Sequence, residues 1–226
     1  MKKFLFIVAV FFFMALLFYK VFFYFDRRAE AAAVRTNSAI ARLSATEYDK
    51  IQEGDIILRR GFGIFSDFIA GNLNNGGPTD VTHAGIIVKK NGTWQVIHAL
   101  SSDVTNIDGV QIQPLSTFLQ YSAPAKIIIT RAKNATPELG KQIAERAQMY
   151  LNRHIPFDHS GVIDDDTELF CTELIWRILE TDLHIIKLPE AHDEREKLFH
   201  SMAPMYATDF FDIIINQYIN STAAAK

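Results

Sequence analysis

Three side chains could carry covalent chemistry in this sequence: Cys171, His83 and His98. Cys171 is the single cysteine of a 226-residue chain, so it has no disulfide partner within the chain and belongs to no cysteine-rich zinc site. A cysteine attacks as its thiolate, and an adjacent imidazole is a common base for generating it. The histidines stand near the ends of 79-TDVTHAGIIVKKNGTWQVIHAL-100, and the cysteine lies in 167-TELFCTELIWRILE-180. Each has an inert explanation when taken alone. Cys171, Leu174, Ile175 and Ile178 form an i, i+3, i+4, i+7 apolar face, on which a cysteine packs as a small hydrophobe. His98 could simply end a strand in water. Together the three supply a nucleophile, a base and a group that orients the base.

The elements that must position them follow from local pattern. Asn91-Gly92 is a two-residue hairpin turn signal. With that turn, Lys90 pairs with Thr93, Gly85 falls opposite His98, and His83 shares their face. The two histidines are then diagonal neighbours, about 7–8 Å apart at the backbone and closer at their side chains. Gly85 leaves the space between them empty. A four-residue loop would pair the histidines directly, whereas a three-residue loop without a bulge would separate their faces. Trp94 falls on the His98 face, as a cleft wall or as packing. With Asp166 or Thr167 as N-cap, Cys171 sits in the first turns of its helix. The helix dipole there favours a thiolate, and free backbone N–H groups could hold an oxyanion.

The rest of the chain supplies a scaffold and an address. Lys2 and Lys3 precede the apolar run 4-FLFIVAVFFFMALLFYKVFFYF-25, whose length suits a membrane-crossing helix. A cleaved signal peptide is the rival reading, but the run exceeds a usual signal core, and Asp26, Arg27 and Arg28 interrupt the approach to 30-EAAA-33. We expect a transmembrane anchor over residues 1–28, a helical stalk or linker over 29–46 and a catalytic domain over 47–226. Lysine placement puts the N-terminus in the cytoplasm and the domain on the extracytoplasmic side. A net charge of −3 without a basic stripe argues against a nucleic-acid partner. A short strand at 56–58, a helix over 62–73, a loop over 74–80, a strand at 126–132 and a helix from Pro137 to Arg153 surround the hairpin. The segment 209–219 reads as strand or helix. Helices flanking a run of strands make the class α+β.

The blocks 54-GDIILRR-60, 82-THAGIIV-88, 96-VIHA-99, 155-IPFD-158 and 169-LFCTELIW-176, in that order, resemble the NlpC-type papain-like cysteine hydrolases in circularly permuted form, the YiiX/YebB-like branch. The resemblance implies a papain-like domain with a small antiparallel sheet or barrel against the cysteine helix. It makes Cys171 the nucleophile and His83 the base, and it places His98 where the family keeps a polar residue that orients the base. It implies no metal or organic cofactor. A zinc site on His83 and His98 lacks a third ligand of recognisable spacing. Asp55, Asp158 and Glu173 read as structural carboxylates, 164-DDD-166 as a solvated loop, and His154, His159, His184, His192 and His200 as surface residues. The leading expectation is a membrane-anchored hydrolase of amide bonds in cell-wall peptides. A lipid, acyl-ester or thioester substrate and an inactive ligand-binding scaffold are the alternatives.

Overall fold

A computed structural model describes residues 1–73, 79–163 and 166–219. A 35-residue helix, α1 (Lys2–Thr36), carries the apolar run and continues past it without a break. It is the one helix among the described residues long and apolar enough to cross a membrane, a test that a signal sequence also passes. A capping box at Ser44 starts α2 (Ala45–Tyr48), where Ser44 and Glu47 satisfy each other's amides. The chain then enters β1 (Ile56–Arg59) and α3 (Ile64–Leu73), followed by the hairpin β2 (His83–Lys90) and β3 (Thr93–Leu100). Beyond it come β4 (Gly109–Pro114), α4 (Leu115–Gln120), β5 (Ile127–Ala132), α5 (Pro137–Asn152), α6 (Cys171–Trp176), α7 (His192–Phe199) and β6 (Phe211–Asn216). After Trp176, α6 widens into a π-helical turn over Arg177–Asp182.

The six strands make one antiparallel sheet in the order β4-β3-β2-β1-β5-β6. The architecture is mixed α and β, as expected, with the sheet open at β4 and β6. The hairpin has the expected register, with Lys90 opposite Thr93 and Ile86 opposite Ile97. Asn91 and Gly92 both take positive φ, as this turn requires. Residues 209–219 resolve as strand β6 on the sheet edge, followed by a short helical turn. The strand β4 was not expected, although Val110 and Ile112 alternate with Gln111 and Gln113. It ends at Pro114, where an edge strand tolerates a missing N–H.

Alternation sends the two sheet faces to different cores. Ile56, Leu58, Ala84, Ile86 and Ile97 join the larger one, with α5, α6 and Trp176. Ile57, Ile87 and Val96 face a smaller one with Leu115 and Phe118 of α4, and Trp94 packs against it. Asp55, fully buried at the start of β1, is held by Arg131 of the neighbouring β5 at 2.7 Å and by the Gln52 amide at 2.8 Å. That pair fixes the end of the strand that leads to the site, which makes Asp55 structural. Of the expected 74–80 loop, residues 74–78 lie outside the described residues, as do Asp164 and Asp165. Asp166 pairs with Arg153 at 2.7 Å.

Candidate active site

Strands β2 and β3 bring the two histidines together. His83 Nε2 and His98 Nδ1 are 2.9 Å apart, with the rings near perpendicular and both against Phe118. Gly85 makes this possible. A Cβ there would stand 2.5 Å from Val96 Cγ1 and 3.1 Å from His98 Cβ. Both histidines are buried, and burial disfavours their charged forms. His98 is pulled down to about 3, by burial and then by the Arg59 cation. His83 is held well below the ordinary histidine value by burial, then by His98 and Arg59. The pair is therefore neutral at pH 7, and one proton lies between Nε2 and Nδ1. If His83 supplies it, its Nδ1 is left as a free base, and the remaining His98 proton sits on Nε2, a buried atom without a partner.

Cys171 is the first residue of α6, behind an extended Phe170, so the helix starts later than Asp166 or Thr167 would place it. The backbone explains the delay. Leu169 exchanges hydrogen bonds with the 156–158 segment, donating to the Pro156 carbonyl at 3.0 Å and accepting from the Asp158 amide at 3.3 Å, which holds residue 169 extended. The Glu173 carboxylate reaches back to the Phe170 amide at 3.4 Å. The helix packs on β2 and β3, and the sulfur meets the Ala84 backbone N–H, next to His83, together with the amides of Thr172 and Cys171. Those N–H groups and Arg59 favour the thiolate. Burial outweighs them, and the thiol is pushed up from its ordinary value. The helix start therefore does not yield a resting thiolate.

Arg59, opposite His83 in the β1–β2 register, is the site residue that sequence reasoning missed. Alternation puts it on the face of Ile57, and a charged side chain on an inward face was the available signal. It is 6% exposed, its guanidinium lies 4.8 Å from the Phe118 ring centroid, and it donates to the Tyr121 carbonyl. Burial lowers its pKa to about 10. Arg59 and His83 line a cavity of about 370 Å³ whose other walls include Gln111, Thr117 and Tyr121. Cys171 is not in that lining; it packs at the edge of the larger core and keeps partial exposure. One cavity wall comes from α1, through Asp26, Arg27, Glu30 and Ala31. Asp26 accepts from the Phe65 amide at 3.0 Å, and Arg27 donates to the carbonyls of Ser102, Asp103 and Thr105.

The remaining residues weighed from sequence have structural roles. Asp158 Oδ1 accepts from the Ser160 amide and hydroxyl and the Gly161 amide, closing the turn before the cysteine segment. Glu173 is fully buried beside Arg177 at 3.1 Å, and burial lifts it to about 7 against that cation. His200 is more than a surface residue, with Nε2 3.0 Å from the Gly161 carbonyl and its ring against Phe170. The facing nitrogens of the histidine pair are not spaced as two ligands of one zinc. Two nitrogens on one tetrahedral zinc stand about 3.3 Å apart from bond lengths of about 2.0–2.1 Å, whereas these share a proton. Among the described residues, the grouping of three potential ligands is His192, Asp193 and Glu196, all exposed and far in sequence from the site.

No curated protein matches the chain. A similar solved structure is titled the metalloprotein yiiX from Escherichia coli O157:H7; it is 20% identical, with 74% of this chain and 89% of that chain covered and a TM-score of 0.49. The sequence profile of the permuted papain-like amidases matches residues 50–224, from the turn before β1 to beyond β6. Histidines on a central hairpin, preceding a cysteine at a helix start, fit that permuted order, and the chain belongs to the permuted papain-like amidase enzymes of the YaeF/YiiX, C92 family.

Proposed function

We propose that the protein is a membrane-anchored cysteine amidase in which Cys171 is the nucleophile, His83 the base and His98 the residue that orients it. The observation that carries this reading is the 2.9 Å contact between two buried imidazoles, with the cysteine sulfur at the next backbone amide. His83 Nδ1 takes the thiol proton as sulfur attacks the carbonyl carbon. The Ala84 and helix-start amides face the sulfur and stabilise it as its proton leaves; on attack the charge passes to the carbonyl oxygen. The imidazolium then returns its proton to the leaving amine, and water hydrolyses the acyl-enzyme by the same route. Throughout, His83 keeps its Nε2 proton and donates it to His98 Nδ1, so a neutral partner supports the transient cation. The substrate is an amide in a cell-wall peptide. Residues 1–28 anchor the chain, 29–46 connect, and 47–226 form the catalytic domain, with the N-terminus cytoplasmic and the domain outside.

A second reading, a lipid-linked amide, ester or thioester, is favoured by the α1 wall of the cavity and by the exposed Ile64, Phe68 and Ile107, each next in sequence to a residue that lines it. Assaying the full chain in detergent against murein peptides and acyl lipids separates the two. Cys171→Ala should abolish hydrolysis, and His83→Ala should slow it by about 10²–10⁴-fold. Undiminished turnover in Cys171→Ala would overturn the mechanism.

A further inference from the structure

A buried cation ordinarily has a counter-charge in contact with it. The contacts of Arg59 are the Tyr121 carbonyl and the faces of Phe118 and Tyr121, none of them negative, and its Nε has no hydrogen-bond partner. The other charged groups of the cavity are differently placed. Asp26 is committed to the Phe65 amide and Arg27 to three carbonyls. Glu30, on α1, is the carboxylate whose charge Arg59 feels most, and the Cys171 sulfur also lies within reach of the Arg59 field. The guanidinium thus stands beside the base, close enough to the sulfur to sense its charge, with fork valence unused.

We propose that Arg59 is the anion-binding residue of the site and holds a carboxylate or phosphate group of the substrate near the scissile carbonyl. This rests on the reading of Cys171 as the nucleophile. Glu30 is then the resting counter-charge that an incoming anion must displace. Arg59 belongs to the rigid strand β1, so the anion would be placed by the same sheet that places His83.

The lone cysteine makes the test clean. Iodoacetate and iodoacetamide both alkylate sulfur with loss of iodide, and they differ in carrying a carboxylate or a neutral amide. Their rate ratio at Cys171 in the full chain in detergent, normalised to the ratio for glutathione, reports an anion site and cancels changes in thiol reactivity. We expect the ratio to exceed that of glutathione by about ten- to a hundredfold, the effect of one charge-assisted hydrogen bond. Arg59→Gln should return it to the glutathione value, Arg59→Lys should keep part of it, and Glu30→Gln should raise it. Should Arg59→Gln fail to fold, the opposite movements of Arg59→Lys and Glu30→Gln still decide. Protection of Cys171 by inorganic phosphate or by acetate, lost in the Arg59 variants, identifies which anion fits. A wild-type ratio equal to that of glutathione and unmoved by these substitutions overturns the anion site. Turnover that survives Cys171→Ala overturns the cysteine mechanism, and with it the premise.

Discussion

The resting protonation state of the site is open to direct measurement. Burial pushes the Cys171 thiol up and His83 down, so the two are a neutral thiol and a neutral imidazole at pH 7. An ordinary thiol is only about 3% ionised at pH 7, and a raised one less. Alkylation of Cys171 by iodoacetamide should therefore climb about tenfold per pH unit, roughly a thousandfold from pH 5 to pH 8. A preformed thiolate–imidazolium pair would instead give a plateau over that range. Replacing His98 by glutamate tests the cause. A carboxylate about 4 Å from the His83 ring is worth about 4 kcal/mol to the imidazolium at an effective dielectric of about 20. His98→Glu should thus open a labelling plateau between pH 5 and 7 that wild type lacks. The assay is the second-order alkylation rate, followed by intact mass in detergent. A flat wild-type profile from pH 5 to 8 would refute the neutral pair and the reasoning that burial outweighs the helix-start amides.

His98→Gln should retain more hydrolysis than His98→Ala, because an amide oxygen can still accept from His83 Nε2; equal rates for His98→Ala and wild type would leave His98 a packing residue. His98 titrates natively near 3, so below about pH 6.5 the unfolded chain binds a proton that the native one refuses. Stability should then fall with falling pH, by about 2 kcal/mol between pH 7 and pH 5, and thermal melts of His98→Gln should show less of that loss. Gly85→Ala should cost about 1–3 kcal/mol and disturb the histidine contact, since the new methyl meets a buried valine; a melting temperature equal to wild type would contradict the close approach. Arg131→Leu leaves the fully buried Asp55 unpaired and should destabilise by about 3–5 kcal/mol, read from the same melts.

The legible parts of this fold are those written in short-range pattern. Asn91-Gly92 set the turn, and period-two alternation then fixed which residues face His98, so the histidine contact followed from about twenty residues. Pro137 likewise marked the start of α5, which the structure shows capped by Thr136 accepting from the Leu139 amide. The features that escaped depend on distant partners. The start of α6 is decided by hydrogen bonds from Leu169 to a segment eleven residues or more upstream, which no cap signal at Asp166 could reveal. Arg59 was hidden because its meaning comes from Phe118 and Tyr121, some sixty residues away. The docking of α1 was equally out of sight, because Arg27 finds its acceptors in the loop after β3.

That docking has a consequence for reach. A flexible tether of twenty residues would let a domain explore about 25 Å from its root, but a helix clamped at Asp26 and Arg27 allows almost no wandering. At 1.5 Å per residue, Glu30 lies only about 8 Å along the axis from Phe25, the last residue of the apolar run. The domain also holds Tyr19 through Asp103 and Phe23 through Phe65, so if the run before them lies in a bilayer, the cavity is parked at headgroup height, and the bond to be cut has to come down to it. Cleavage would then be confined to molecules lying at the membrane surface, and lengthening α1 by whole turns would raise the working height in steps of about 5.4 Å without touching the chemistry.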